Sequence, residues 1–124
     1  MTHDENKRSI GQEFEEIALA FLEKLGYRLV AKNFHFGRAG EIDLVMIDGD
    51  TYVFVEVKGR KSHTFGLPEE AVTPAKRKTI KQVARGFFYV NRTKRPIGRF
   101  DVVAIDYVTG SRGAPEVRHY QNAF

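Results

Sequence analysis

Apolar residues recur at spacings of three and four from Ser9 onward. Ile10, Phe14, Ile17, Ala18, Phe21, Leu22 and Leu25 fall on one stripe, which predicts an amphipathic helix. Gly26 stands where such a helix ends. At about 100° per residue, Glu15 lies at the edge of the stripe, near the azimuth of Leu22, and Glu16 points well away from it. Glu15 can therefore reach over a sheet packed under the helix; the plainer alternative is a solvated helix flank. The polar residues 1–8 read as a flexible N-terminal tail, leaving 9–124 as a single domain.

Beyond Gly26 the period changes to two. Tyr27–Phe36 is aromatic and branched and predicts a first strand, turned by Gly37-Arg38-Ala39-Gly40. Gly40–Arg60 reads as a hairpin around Asp48-Gly49-Asp50. Strand residues two apart share a face, so Glu56 and Lys58 project together while Val53, Val55 and Val57 line the other side. Asp43 joins Glu56 only if paired residue numbers sum to an odd value. A two-residue loop at Asp48-Gly49 sets Asp43 opposite Phe54, a four-residue loop sets it opposite Glu56, and a regular three-residue loop separates the acids.

After Arg60 a loop or short helical turn crosses the domain. Thr73-Pro74 is a helix start, with Thr as N-cap and Pro at the first position. That helix runs to about Asn91. It buries Ile80, Val83, Ala84 and Phe87, with Val90 as a further candidate, and carries Lys76, Arg77, Lys78, Lys81 and Arg85 on its cationic side. Arg92–Gly98 is a basic loop, Phe100–Tyr107 the most apolar strand and the expected centre of the sheet, and Glu116–Tyr120 an edge strand. Helix, three strands, helix, two strands gives an α/β fold with a mixed central sheet flanked by helices. The helical connection to the Phe100 strand makes that strand parallel to the Val53 strand.

Composition removes several classes of function. There is no Cys, so disulfides and thiolate metal sites are excluded. His3, His35, His63 and His119 show no zinc-ligand spacing. No apolar run reaches membrane-spanning length and the start is too polar for a signal peptide, so a cytoplasmic protein with no membrane partner is expected. Charge is segregated. Residues 1–57 hold six Lys/Arg against eleven Asp/Glu, and residues 58–124 hold fourteen against five. A basic half following an acidic cluster suits a polyanion such as nucleic acid.

Two carboxylates, Asp43 and Glu56, with a lysine on one face suggest a site for a hard divalent cation, Mg²⁺ or Mn²⁺, which takes oxygen ligands and keeps several waters. The Val57 carbonyl is a third candidate ligand, Lys58 would sit beside a bound water or scissile phosphate, and Glu15 would complete the shell directly or through water. Glu41 is a reserve acid. Lys76, Lys78, Lys81, Arg85 and Arg60 are candidate DNA-backbone contacts. Asp101 is a further acid, more readily a partner for Arg99 or a backbone amide, and His63 is incidental. The competing reading of the hairpin is a solvated sheet face whose cross-strand charges simply pair.

The order Asp43, then Glu56-Val57-Lys58, resembles the PD-(D/E)xK nuclease superfamily. More narrowly, the chain resembles the bacterial YraN-type family, relatives of archaeal Holliday junction resolvases. The matching stretches are Gly11-x-x-x-Glu15-x-x-Ala18, Gly26-Tyr27, Gly40-Glu-Ile-Asp-Leu, Phe54-Val-Glu-Val-Lys, Ala71-Val-Thr-Pro-x-Lys76 and Arg99-Phe-Asp-Val-Val. This resemblance implies a restriction-endonuclease-like fold, metal ligands at Asp43 and Glu56, a catalytic Lys58 and an assisting Glu15. By analogy it also implies endonuclease activity on branched DNA and a homodimer. Ile42 stands where the superfamily often has Pro. A catalytically silent nucleic-acid-binding module and a protein-interaction or assembly factor are the alternatives.

Overall fold

The structure, a computed structural model, describes residues 3–63 and 66–124, with side chains from Ile10 onward. Helix α1 (His3–Lys24) leads into strands β1 (Arg28–His35), β2 (Glu41–Asp48) and β3 (Thr51–Arg60). A 3₁₀ turn (Pro68–Ala71) and helix α2 (Pro74–Val90) then cross to β4 (Gly98–Ser111) and β5 (Ala114–Tyr120). Helix α1 begins at His3, ahead of the Ser9 expected from the apolar stripe. Its C-terminus follows from Gly26. That residue takes φ +94°, letting its own N–H reach Glu23 O at 3.0 Å and the Tyr27 N–H reach Leu22 O at 3.2 Å.

The five strands lie in the order β1-β2-β3-β4-β5, with only β3 and β4 parallel. Helix α2 supplies the crossover that a parallel pair requires. β4 is interior, as its apolar sequence implied, although β3 holds the middle place. Alternation along β3 divides the core. Val53, Val55 and Val57 pack with Phe14, Ala18 and Leu22 under α1, whereas Phe54 packs with Ile80, Val83 and Phe87 under α2. Thr73 caps α2 by accepting from the Lys76 N–H at 3.3 Å, and Pro74 occupies its first position. The α/β architecture with its mixed, helix-flanked sheet is the restriction-endonuclease-like one expected.

The 3₁₀ turn is pinned to β4 and β5 by charge. The Arg118 guanidinium donates to both Glu69 oxygens at 2.7 and 2.8 Å and to Asp106 Oδ2 at 2.9 Å. Arg118 holds the Glu69 carboxyl down at about 2, with Tyr120 assisting. Burial alone would raise Asp106, yet Arg60 and Arg118 hold it below the usual carboxylate range. Depressed acids stabilise the fold above their unfolded pKa, and that stability is lost as pH falls through the folded value. Arg118→Met is therefore expected to cost about 2–4 kcal/mol at pH 7. Urea titrations should show the gap to wild type narrowing as pH falls from 4.5 towards 2.

Candidate active site

The β2–β3 hairpin turns on Gly49 and Asp50, with Asp48 paired to Thr51 and Gly49 at φ +62°. The loop thus has two residues, one position later than Asp48-Gly49, and every pair sums to the required odd value. Paired residues run only as far as Leu44↔Val55. Beyond them β2 and β3 part, and the Asp43 carboxylate enters the gap. Its Oδ2 accepts the Val57 N–H at 2.8 Å. In a strand the N–H and C=O of one residue point to the same neighbour, so the Val57 carbonyl opens towards the same gap.

Glu56 emerges on the α2 face with its side chain only 2% exposed. Oε2 receives Lys76 Nζ at 3.2 Å. Oε1 is buried and has no hydrogen-bond partner among the described residues. Burial first, and Glu56 second, push the Asp43 carboxyl up to about 8. Lys58 is half-buried on the same face, and burial, then the nearby Lys76, draw its ammonium down. A buried acid pair with an unsatisfied oxygen is costly unless something cationic completes it. Asp43, Glu56 and the Val57 carbonyl form an all-oxygen donor set that suits Mg²⁺ or Mn²⁺. Among the described residues no three His, Cys, Asp or Glu side chains converge on a common centre, so the candidate donor set has two carboxylates.

Glu15 sits at the helix edge as its azimuth implied. Its Oε1 accepts from Asn33 Nδ2 at 3.0 Å, and Asn33 takes φ +50° to present that amide. Burial raises the Glu15 carboxyl, and Asp43 and Glu41 add to the rise, so it senses the acid pair without joining it. Glu41 leans towards the sheet edge, with His35 Nε2 3.9 Å away. Asp101 is structural. It accepts from Arg99 and from the Asn122 N–H, and His119 Nε2 lies 2.8 Å from its Oδ2.

The basic residues separate into three groups. Lys76 enters the site. Lys78, Lys81 and Arg85 lie on the opposite side of α2 and are exposed, sharing a shallow surface with Arg77 and Phe124. Lys81 Nζ rests over the Phe100 and Phe124 rings at 6.0 and 5.8 Å. Arg60 donates to Asp106 Oδ1 at 2.8 Å and to the Gly66 carbonyl at 2.7 Å. That side chain ties strand to strand and, at 15% exposed, offers little to a polyanion. The contact between Lys76 and Glu56 was not read from the sequence. The signal was available: Lys76 stands four residues before Ile80 and seven before Val83, in line with the buried stripe of α2. Beside Lys58, a concavity of about 600 Å³ opens between the end of β3 and the segment Gly66–Ala71.

The fold and this acid–acid–lysine cluster define a small α/β domain of the restriction-endonuclease-like type. The chain belongs to the Uncharacterised protein family UPF0102, whose model matches residues 14–105, in line with the YraN-type resemblance of its motifs. It is 40% identical over 119 residues to a UPF0102 protein of Caldicellulosiruptor saccharolyticus, covering 96% of this chain and 99% of the relative. A UPF0102 protein of Symbiobacterium thermophilum is 42% identical over 117 residues, covering 94% and 97%. One of Geobacter sulfurreducens is 40% identical over 119 residues, covering 96% and 91%. No helix among the described residues is long and apolar enough to cross a membrane.

Proposed function

We propose that this chain is a Mg²⁺- or Mn²⁺-dependent endodeoxyribonuclease that hydrolyses phosphodiester bonds in structured or branched DNA. The observation that carries this reading is the buried Glu56, with Oε1 unpartnered among the described residues, set beside Asp43 and Lys58. A solvated sheet face would expose these groups and pair them off.

A bound divalent ion would supply an acidified water and offset charge on the departing alkoxide. Asp43 and Glu56 would hold it, with the Val57 carbonyl as third donor. Lys58 presents an ammonium to the concavity beside it, where it would bind a phosphate oxygen or orient the attacking water. Burial lowers its affinity for the proton, which suits a group that exchanges hydrogen bonds with water during the reaction. Glu15, held by Asn33, would act through a water. The exposed Lys78, Lys81 and Arg85 would take backbone phosphates of a longer duplex. A homodimer would place two such sites on the two strands of a junction.

The test is cleavage of a labelled four-way junction and a matched linear duplex with Mg²⁺ or Mn²⁺. Wild type is expected to cut the junction, and Lys58→Ala to lose at least about 100-fold in rate. Full activity in the variant, or no metal-dependent product from either substrate, would overturn the reading. Salt-sensitive binding without product under any metal would identify a nucleic-acid-binding module instead.

A further inference from the structure

The Glu56 carboxylate is unevenly served. Lys76 Nζ lies 3.2 Å from Oε2, and Oε1 has no partner among the described residues. Lys58, two residues along the same strand face, makes no ion pair with Glu56 among the described residues; the cation on Glu56 comes from α2. The two partners differ in freedom. The Glu56 side chain is 2% exposed, whereas that of Lys76 is 40% exposed and hangs on a four-carbon stem from the first turn of α2. The lysine is the member that can leave.

We propose that Lys76 is a built-in counter-cation. Its ammonium holds Glu56 in the metal-free protein and must give up Oε2 when a divalent ion binds between Asp43 and Glu56. This inference rests on the metal-dependent reading of the site. An ammonium and a divalent ion within contact distance of one carboxylate repel each other, and an ion on the unpartnered Oε1 would stand beside an ammonium still on Oε2. Once released, the ammonium stands at the mouth of the site, beside Lys58, where a phosphodiester oxygen is its natural partner. Metal loading and substrate binding then favour each other, because each removes an obstacle to the other. Without a cation at position 76, the acid pair would face its own repulsion until metal arrived. Lys76 is a positioning residue on this account, acting through Glu56.

Calorimetric titration with Mg²⁺ at pH 8 and low salt tests this on wild type, Lys76→Met and Lys76→Arg. Lys76→Met is expected to bind Mg²⁺ about tenfold more tightly than wild type, the size expected for removing one partly screened unit charge at contact distance. Lys76→Arg keeps the charge and should stay near wild type. A residue with a purely structural role would lower the melting temperature without tightening metal binding. Equal or weaker Mg²⁺ binding by Lys76→Met overturns the inference and leaves the metal site standing. No Mg²⁺ binding by any of the three proteins overturns both readings. A second measurement needs only the wild-type chain. Reductive methylation of Lys76, followed by mass spectrometry, should speed up several-fold when Mg²⁺ is added, and an unchanged or slower rate counts against the exchange.

Discussion

Asp43→Asn is expected to make the metal-free protein more stable while abolishing its response to metal. Asp43 and Glu56 are two carboxylates held close together with little water. Burial, then the neighbouring Glu56, lift the Asp43 carboxyl to about 8. An ionised Asp43 is thus held against the preference of the fold. An asparagine is nearly isosteric, keeps an oxygen that accepts the Val57 N–H, and removes the charge. After allowance for solvent screening, the gain at pH 8 in EDTA should be about 1–3 kcal/mol. Active sites commonly carry such strain. The same variant should lose the Mg²⁺-induced rise in melting temperature, and the proposed cleavage should fall by orders of magnitude. Unfolding curves with EDTA and with Mg²⁺, run in parallel, measure both effects. A variant less stable than wild type in EDTA would mean that the acid pair is not under strain.

Gly59→Ala is expected to damage fold and site together. A Cβ at position 59 would meet the Phe14 ring at 2.5 Å, at Cγ and Cδ2, well inside contact distance. Phe14 is buried among Ala18, Val57 and Ile105, so the ring has little room to retreat. Overpacking of this kind costs about 1–3 kcal/mol. The damage falls on the candidate site because of position: Gly59 follows Lys58 on β3, and Phe14 precedes Glu15 on α1. Pushing the helix off the strand moves Glu15 away from Asp43 and tilts the Lys58 backbone. Urea denaturation should show the stability loss, and Mg²⁺ affinity should fall even where the variant stays folded.

Much of this arrangement was legible in the residues. The Thr73-Pro74 start, the Gly26 stop and the alternation of Val53, Val55 and Val57 each encode local geometry, and each element formed as its pattern implied. The odd pairing of the hairpin was also legible as a condition the acids impose. Its loop fell one residue later because Asp-Gly-Asp allows glycine at either central turn position, and Gly49 took the first. What sequence could not fix was the roll of α2 over the sheet. Five cations on one helix look interchangeable until the buried Ile80 and Val83 point Lys76 inward and Lys81 outward. Arg60 is a similar case: its fate depends on Asp106, forty-odd residues on, which no local pattern places beside it.

The parallel pairing of β3 with β4 bears on how the site comes together in time. Strands β1 to β3 are neighbours in both sequence and space, so this meander, carrying Asp43, Glu56 and Lys58, closes short loops at little entropic cost. β4 can join β3 only after the whole α2 crossover is in place, and such non-local pairing is the slow part of folding. The acids, all on the meander, can therefore be brought together before α2 seats Lys76 beside Glu56. During that interval either a proton or a divalent ion can settle the repulsion between them, so at a pH above the Asp43 value of about 8 Mg²⁺ should accelerate refolding of the wild-type chain and leave Asp43→Asn unaffected.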